Sequence, residues 1–138
     1  WFQVDLRFVS KLARLCGGDQ VHAGAVSGKL YEDLPSVLRS VEVLKEGWGH
    51  LKPALPVSSG GQHPGKVPEN IRHLGKDALI LAGGGIFGHK DGATAGAKAM
   101  RQALEAALKG IPLEEHAEGR KELQVALQQW GVFKPQVP

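Results

Sequence analysis

Three consecutive glycines, Gly83-Gly84-Gly85, close the apolar run Ile80-Leu81-Ala82 and lead through Ile86-Phe87-Gly88-His89 into a long helical pattern. Glycine has no side chain to hold a ligand away, so main-chain N–H groups in such a stretch can approach an anion closely, and a helix starting just afterwards adds its positive end. Phosphate binding is the chemistry this suits. A second stretch, Ser59-Gly60-Gly61, ends the preceding apolar run in the same way. The pair carries more weight than either member, because most isolated glycine clusters are simply turns.

The elements that must hold these glycines repeat. Val4, Phe8, Leu12 and Leu15 form one helical stripe with Val9, Ala13 and Cys16 beside it, and Gly17-Gly18 stops the helix. Asp19 to Ala23 reads as a strand, Gly24 to Leu30 as a loop, and Leu34, Val37, Leu38, Val41 and Leu44 as a helix capped by Asp33 and closed by Gly47. A second strand, 53–58, passes through the Ser59–Gly65 loop into a short helix from Pro68 to Leu74, where proline suits a first turn that has no use for its N–H. A third strand, Ala78 to Ala82, leads through the glycine triplet to a helix over Thr94–Leu108. Its Ala95, Ala99, Ala103, Ala106 and Ala107 let it lie close against a sheet. Leu113 to Trp130 reads as one final helix.

Composition describes one domain, with 138 residues, 42% hydrophobic and 22% charged. No run reaches the roughly 18 apolar residues of a membrane span. The net charge of +3 is scattered and interleaved with a single tyrosine, which argues against a nucleic-acid surface. A lone cysteine, Cys16, excludes an internal disulfide and fits an intracellular, cytoplasmic protein; it is expected to be a small buried hydrophobe at the end of the first helix. Trp1, Trp48 and Trp130 read as packing or interface aromatics.

Three strand–loop–helix units with nearly all-apolar strands imply an α/β fold with a parallel sheet covered by helices, either part of a (β/α)8 barrel or a doubly wound sheet. In both, ligands bind at the carboxyl ends of the strands, where each glycine loop falls. Three strands cannot close a barrel, so the chain is expected to be a single partial barrel domain over residues 1–138. The remainder would come from further residues or from a second copy.

The motifs His22-Ala23-Gly24-Ala25-Val26-Ser27-Gly28-Lys29-Leu30, Ser58-Ser59-Gly60-Gly61-Gln62-His63-Pro64-Gly65 and Gly83-Gly84-Gly85-Ile86-Phe87-Gly88-His89 occur in this order. Together they resemble the last three strands and loops, strands 6–8, of the barrel in the large subunit of ribulose-1,5-bisphosphate carboxylase/oxygenase (Rubisco), over roughly residues 7 to 110. The short stretch between Lys29 and Pro53 and the His63-Pro64-Gly65 run resemble the archaeal-type and Rubisco-like branches.

By itself His22 reads as a core histidine and Lys29 as a solvated loop lysine. The resemblance implies more. His22 would help hold the phosphate at the far end of a sugar bisphosphate, and Lys29 would be the mobile-loop lysine that stabilises charge as carbon dioxide adds to an enediolate. Ser59 would hydrogen-bond a substrate hydroxyl beside the reacting carbons. Gly60, Gly61, Gly83 and Gly84 would line the site of the other phosphate, while His63 would be an auxiliary contact and His89 would order the loop before the last barrel helix. The family also implies Mg2+, with ligands on an earlier strand outside this chain, a phosphorylated sugar as substrate, and assembly into a homo-oligomer.

Ala25 and Ser27 stand where carboxylating members commonly carry threonine and valine, Tyr31 where an acidic residue is usual, and Lys90 where a proline is usual. Enolisation, isomerisation or decarboxylation by a Rubisco-like protein therefore stays open beside carboxylation, as does a non-catalytic half-barrel that self-associates.

Overall fold

The computed structural model describes residues 4–27 and 33–134. Helix α1 (Leu6–Leu15) starts where the Asp5 carboxylate accepts the Arg7 N–H at 2.9 Å, satisfying one of the donors a helix leaves open at its start. Strand β1 (Gln20–Gly24) follows. Helix α2 (Leu34–Lys45) is capped by Asp33 as expected, the carboxylate accepting the Ser36 N–H at 2.8 Å. Strand β2 (Leu55–Ser58) leads through a 3-10 turn at Pro64–Lys66 into α3 (Val67–Leu74).

The three strands form one parallel sheet in sequence order, β1-β2-β3, with His22 opposite Val57 and Val57 opposite Leu79. Strand β3 is only Leu79–Ile80, shorter than the run 78–82 suggests. The glycine triplet is not a loop before a distant helix. It is itself the first turn of a short helix, α4 (Gly83–Phe87), which precedes α5 (Ala93–Lys109).

The expected single helix over Leu113–Trp130 is two, α6 (Leu113–His116) and α7 (Lys121–Trp130). Gly119 breaks it, with a φ of +73° that an L side chain adopts only with strain.

Two clusters make the core. Ala23, Val26, Val37, Val41, Leu44 and Leu74 pack between β1, α2 and α3. Val67, Ala103, Ala106, Leu113, Ala117 and Leu123 join α3, α5, α6 and α7. Leu44 and Leu123 are wholly buried, and each contributes about 1.5–3 kcal/mol.

The small-residue stripe of α5 is Gly96, Ala99, Ala103 and Ala106, all buried. It lies against α3, α4 and α7 and not flat on the sheet as expected. Between α5 and β3 lies an apolar cleft of about 490 Å³, lined by Ile71, Leu79, Ile80, Ala97, Met100 and Leu104.

The first helix overturns two expectations. Its apolar stripe faces out, with Val4, Phe8, Leu12 and Leu15 45–66% exposed, while Ser10 and Arg14 are the buried residues. Cys16 is exposed as well. On the sheet, Leu55, Leu79 and Leu81 are 37–57% exposed. Among the described residues these apolar side chains are left uncovered. No helix among the described residues is long and apolar enough to cross a membrane.

Candidate functional site

Strand pairing sets the first contact. Ser59 follows β2 directly, and its N–H donates to Gly24 O at 3.5 Å at the end of β1. This carries its side chain to His22, whose Nδ1 lies 2.8 Å from Ser59 Oγ, a hydrogen bond whose donor is set by the imidazole tautomer. His22 is exposed on the open face of the sheet and lines a cleft of about 270 Å³ with Gln20, Val57, Leu79, Ile80 and Leu81.

Beyond Ser59 the chain turns through Gly60 (φ +88°) and Gly61 (φ +62°), two successive positive values that exclude ordinary side chains. Gly61 is exposed. The turn is held from beneath by two amides that are at most 2% exposed. Asn70 Nδ2 donates to Gln62 Oε1 and to Lys66 O, both at 2.9 Å, and Gln62 Nε2 donates to Gly60 O at 3.3 Å. A hydrogen-bonded pair of buried amides is rigid, because breaking either bond strands a polar group away from water.

The second glycine stretch meets the first through Gly85. A Cβ there would sit 2.3 Å from Gln62 O and 2.8 Å from His63 Cα, so the main chains of the two loops touch directly. One residue before this contact on each loop stand Gly61 and Gly84, both exposed. Gly83 and Gly84 have ordinary helical backbone, and a Cβ on either would meet nothing within 4 Å. The first helical bond of α4 is Ile86 N–H to Ala82 O at 3.2 Å, so the N–H groups of Gly83, Gly84 and Gly85 precede the helical ladder. The arrangement can bind an anion through main-chain amides.

His63 packs against the last helix. Its ring stacks on Trp130 with centroids 5.8 Å apart and planes at 27°, and its Nδ1 is buried with no partner among the described residues. Burial, with Lys66 adding like charge, lowers its pKa to about 4, so the ring is neutral at pH 7. His63 thus packs against Trp130.

His89 is buried, its Nδ1 accepts the Asp91 N–H at 3.0 Å, and Nε2 donates to Glu122 O at 3.0 Å. It orders the turn before α5, as expected of it.

Of the expected site residues, Ser59, Gly60 and Gly61 follow the carboxyl end of β2, Gly83 and Gly84 come shortly after β3, and His22 is the middle residue of β1, where it bonds to Ser59. Lys29 lies outside the described residues, as do Tyr31 and Trp1. Trp48 is exposed beneath Lys11, whose Nζ lies 5.8 Å from its ring centroid. Sequence reasoning missed Gln62 and Asn70. Both stand in locally polar stretches, so nothing in the sequence around them signals that they are buried. Among the described residues no three His, Cys, Asp or Glu side chains group to hold a metal ion.

The family model for the ribulose bisphosphate carboxylase large chain, catalytic domain, matches residues 3–130, wider at the C-terminal end than the motifs alone reach. The ribulose bisphosphate carboxylase of Pyrococcus furiosus is 50% identical over 132 residues, which is 96% of this chain and 31% of that protein. Among solved structures, the octameric Rubisco of Pyrococcus horikoshii superposes with a TM-score of 0.86 at 44% identity, over 94% of this chain and 31% of that one. A Rubisco-like protein of Alicyclobacillus acidocaldarius also gives 0.86, at 36% identity, over 94% of this chain and 33% of that one. The chain therefore spans about a third of the length of the relatives it matches. With its three parallel strands, intervening helices and paired glycine loops, it belongs to the ribulose bisphosphate carboxylase large-chain family and is the C-terminal portion of that family's catalytic barrel.

Proposed function

We propose that this chain forms the phosphate-binding side of an enzyme that carboxylates ribulose-1,5-bisphosphate. The observation that supports the reading is the main-chain contact at Gly85, which joins the Gly60-Gly61 turn to the glycine triplet, with Gly61, Gly83 and Gly84 all exposed. Main-chain N–H groups there would hold one phosphate, and His22 the other. Ser59 would hold the hydroxyl beside the reacting carbons, kept in place by its bond to His22. Lys29 would stabilise the carboxylate forming as carbon dioxide adds, a role in which a compact ammonium on a flexible stem suits a moving contact.

Mg2+ chemistry would stabilise the enediolate in this family, but the described residues do not fit a Mg2+ site, since no oxygen cluster is present among them. The metal and its ligands are therefore assigned to the rest of a complete barrel. That remainder would also cover the apolar stripe of α1, the exposed sheet leucines and the cleft beside β3. The octameric and dimeric neighbours support assembly into a homo-oligomer.

A Rubisco-like reaction is the second reading, favoured by the equal superposition on a Rubisco-like protein. The relatives named carboxylase are closer in sequence, at 40–50% against 34–36% for the Rubisco-like structures, and this supports carboxylation. In the complete enzyme, Lys29→Ala should abolish carboxylation while sparing proton abstraction from the substrate, measured by isotope exchange. Equal loss of both would contradict the role given to Lys29. Sugar-phosphate isomerisation by the wild type, without carbon dioxide uptake, would establish the second reading.

A further inference from the structure

Three consecutive residues where α7 ends, Gln129, Trp130 and the C-cap Gly131, reach both glycine loops. Gln129 reads the turn that follows α4: its Nε2 donates to Gly88 O at 2.7 Å, and its Oε1 accepts the Lys90 N–H at 3.1 Å. Trp130 lies between the loops, stacked on His63 and edge-on to His89 at 6.2 Å and 64°. Its Cζ2 comes within 3.7 Å of where a Cβ on Gly88 would be. Gly131 O sits so close to Gly65 that a Cβ there would be 1.9 Å away, and just beyond it the Phe133 N–H donates to Gly65 O at 3.0 Å. At the other end of the helix, Glu122 O accepts from His89 Nε2.

We propose that the C-terminal end of α7 is a positioning clamp, in which Gln129 and Trp130 set the spacing between the Gly60-Gly61 turn and the Gly83-Gly84 turn and so tune the grip on the substrate's phosphate. Gln129 and Trp130 touch no substrate; they act through the loops. The inference rests on the phosphate reading of those loops. Main-chain amides from two separate segments grip one anion well only if both are held in register, and a displacement of about 1 Å costs one or two orders of magnitude. The Gly85 contact and the packing of α5 against α3 and α4 already tie the loops together. The end of α7 adds a further contact to each of them from one helix, at His63 and Gly65 on one loop and at Gly88 and Lys90 on the other. Every contact is a neutral amide or an aromatic face, so the clamp does not depend on ionic strength.

The test compares Gln129→Ala, Trp130→Leu and the conservative Trp130→Phe with wild type in the complete enzyme. Inorganic phosphate serves as a competitive probe and ribulose-1,5-bisphosphate as substrate. Gln129→Ala and Trp130→Leu should each raise the phosphate inhibition constant and the KM for the sugar bisphosphate about 10-fold, with kcat at saturation within about twofold and the KM for carbon dioxide unchanged. Trp130→Phe should recover most of the loss. A purely structural role predicts instead a lower melting temperature and less active enzyme at unchanged KM, and that result overturns the clamp, as does a Trp130→Leu enzyme indistinguishable from wild type. Should Trp130→Leu fail to fold, Gln129→Ala and Trp130→Phe decide by the same KM readout. Wild-type enzyme that neither binds phosphate nor turns over the bisphosphate overturns the underlying reading, a failure distinct from normal wild-type binding with unaffected variants.

Discussion

His22 Nδ1 and Ser59 Oγ are 2.8 Å apart, joining the carboxyl ends of β1 and β2 across the open face of the sheet. Residues from two different motifs, 37 positions apart in the chain, therefore act as one polar unit. Parallel pairing produces this. His22 is opposite Val57, and a one-residue register shift in β1 between His22 and Gly24 puts Gly24 opposite Ser58, so that the next N–H of β2, from Ser59, reaches Gly24 O.

We predict that this unit shows strong coupling. In the complete enzyme, Ser59→Ala and His22→Asn should each lower kcat/KM for the sugar bisphosphate by about 10- to 100-fold, the cost of a lost hydrogen bond to a charged or developing-charge partner. The double variant should lose clearly less than the product of the two, because the first substitution already disorders the second residue. Steady-state kinetics on all four enzymes gives the coupling energy directly, and strict additivity would show that the 2.8 Å contact is irrelevant to catalysis.

The glycines of the triplet separate by cause. Gly85 is required by packing, since a Cβ would run into Gln62 O at 2.3 Å, main chain that cannot swing away. Gly83 and Gly84 face open space in ordinary helical backbone. Gly85→Ala should therefore lower the melting temperature, at an overpacking cost of about 1–3 kcal/mol or more. Gly83→Ala should leave it unchanged or slightly raised, as alanine is the better helix former by up to about 1 kcal/mol, yet weaken phosphate inhibition at least about 10-fold. Thermal melts paired with phosphate inhibition test this, and a Gly83→Ala enzyme with normal phosphate affinity would refute the anion reading of the glycine loops.

Most of the sheet was legible in the sequence because each strand is a short apolar run ended by glycine and followed by a helical repeat. The two glycine loops were legible for the same reason, each following a strand, whereas the roles expected of His22 and Ser59 came only from the family resemblance. Legibility failed where partners decide. The stripe Val4, Phe8, Leu12 and Leu15 reads as a core face, but the chain's own core takes Ser10 and Arg14 instead. Periodicity reports that a face is apolar, not what covers it. The break at Gly119 was hidden by helix formers on both sides, and the helical state of Gly83–Phe87 by glycine's poor propensity, which the close packing of Gly85 overrides. The amides of Gln62, Asn70 and Gln129 act across the fold, so no local pattern marks them.

His63 gives a pH dependence with a definite sign. Its pKa falls to about 4 in the folded protein, from 6.5 for the free ring, because burial against Trp130 and the nearby Lys66 disfavour the charged form. The unfolded chain then binds the proton more readily, so the stability associated with neutral His63 is complete above pH 6.5 and is lost as pH falls towards 4. Between pH 7.5 and 5 the loss should be about 1 kcal/mol, below the unscreened value because part of the ring meets solvent. His63→Phe keeps an aromatic face for Trp130 and removes the titration. Urea midpoints measured for both proteins across this range should diverge from each other by that amount, wild type falling faster; parallel curves would mean that His63 titrates normally.

Arg14 offers a test of the inverted first helix. Arg14 is 4% exposed, and its guanidinium forks between two main-chain acceptors, Nη1 donating to Val43 O at 2.5 Å and Nη2 to Lys52 O at 3.0 Å. Val43 lies in the last turn of α2, where carbonyls lack helical donors and a positive charge is favourable. One side chain thereby ties α1, the end of α2 and the segment entering β2, and it does so with the apolar face of α1 turned away. Arg14→Met should cost about 2–3 kcal/mol by stranding both carbonyls. Arg14→Lys should recover less than half of this, since a single ammonium cannot span acceptors that the planar fork reaches together. Urea denaturation of the complete enzyme measures both, and a lysine variant as stable as wild type would show that charge alone, and not the fork, holds α1 in its orientation.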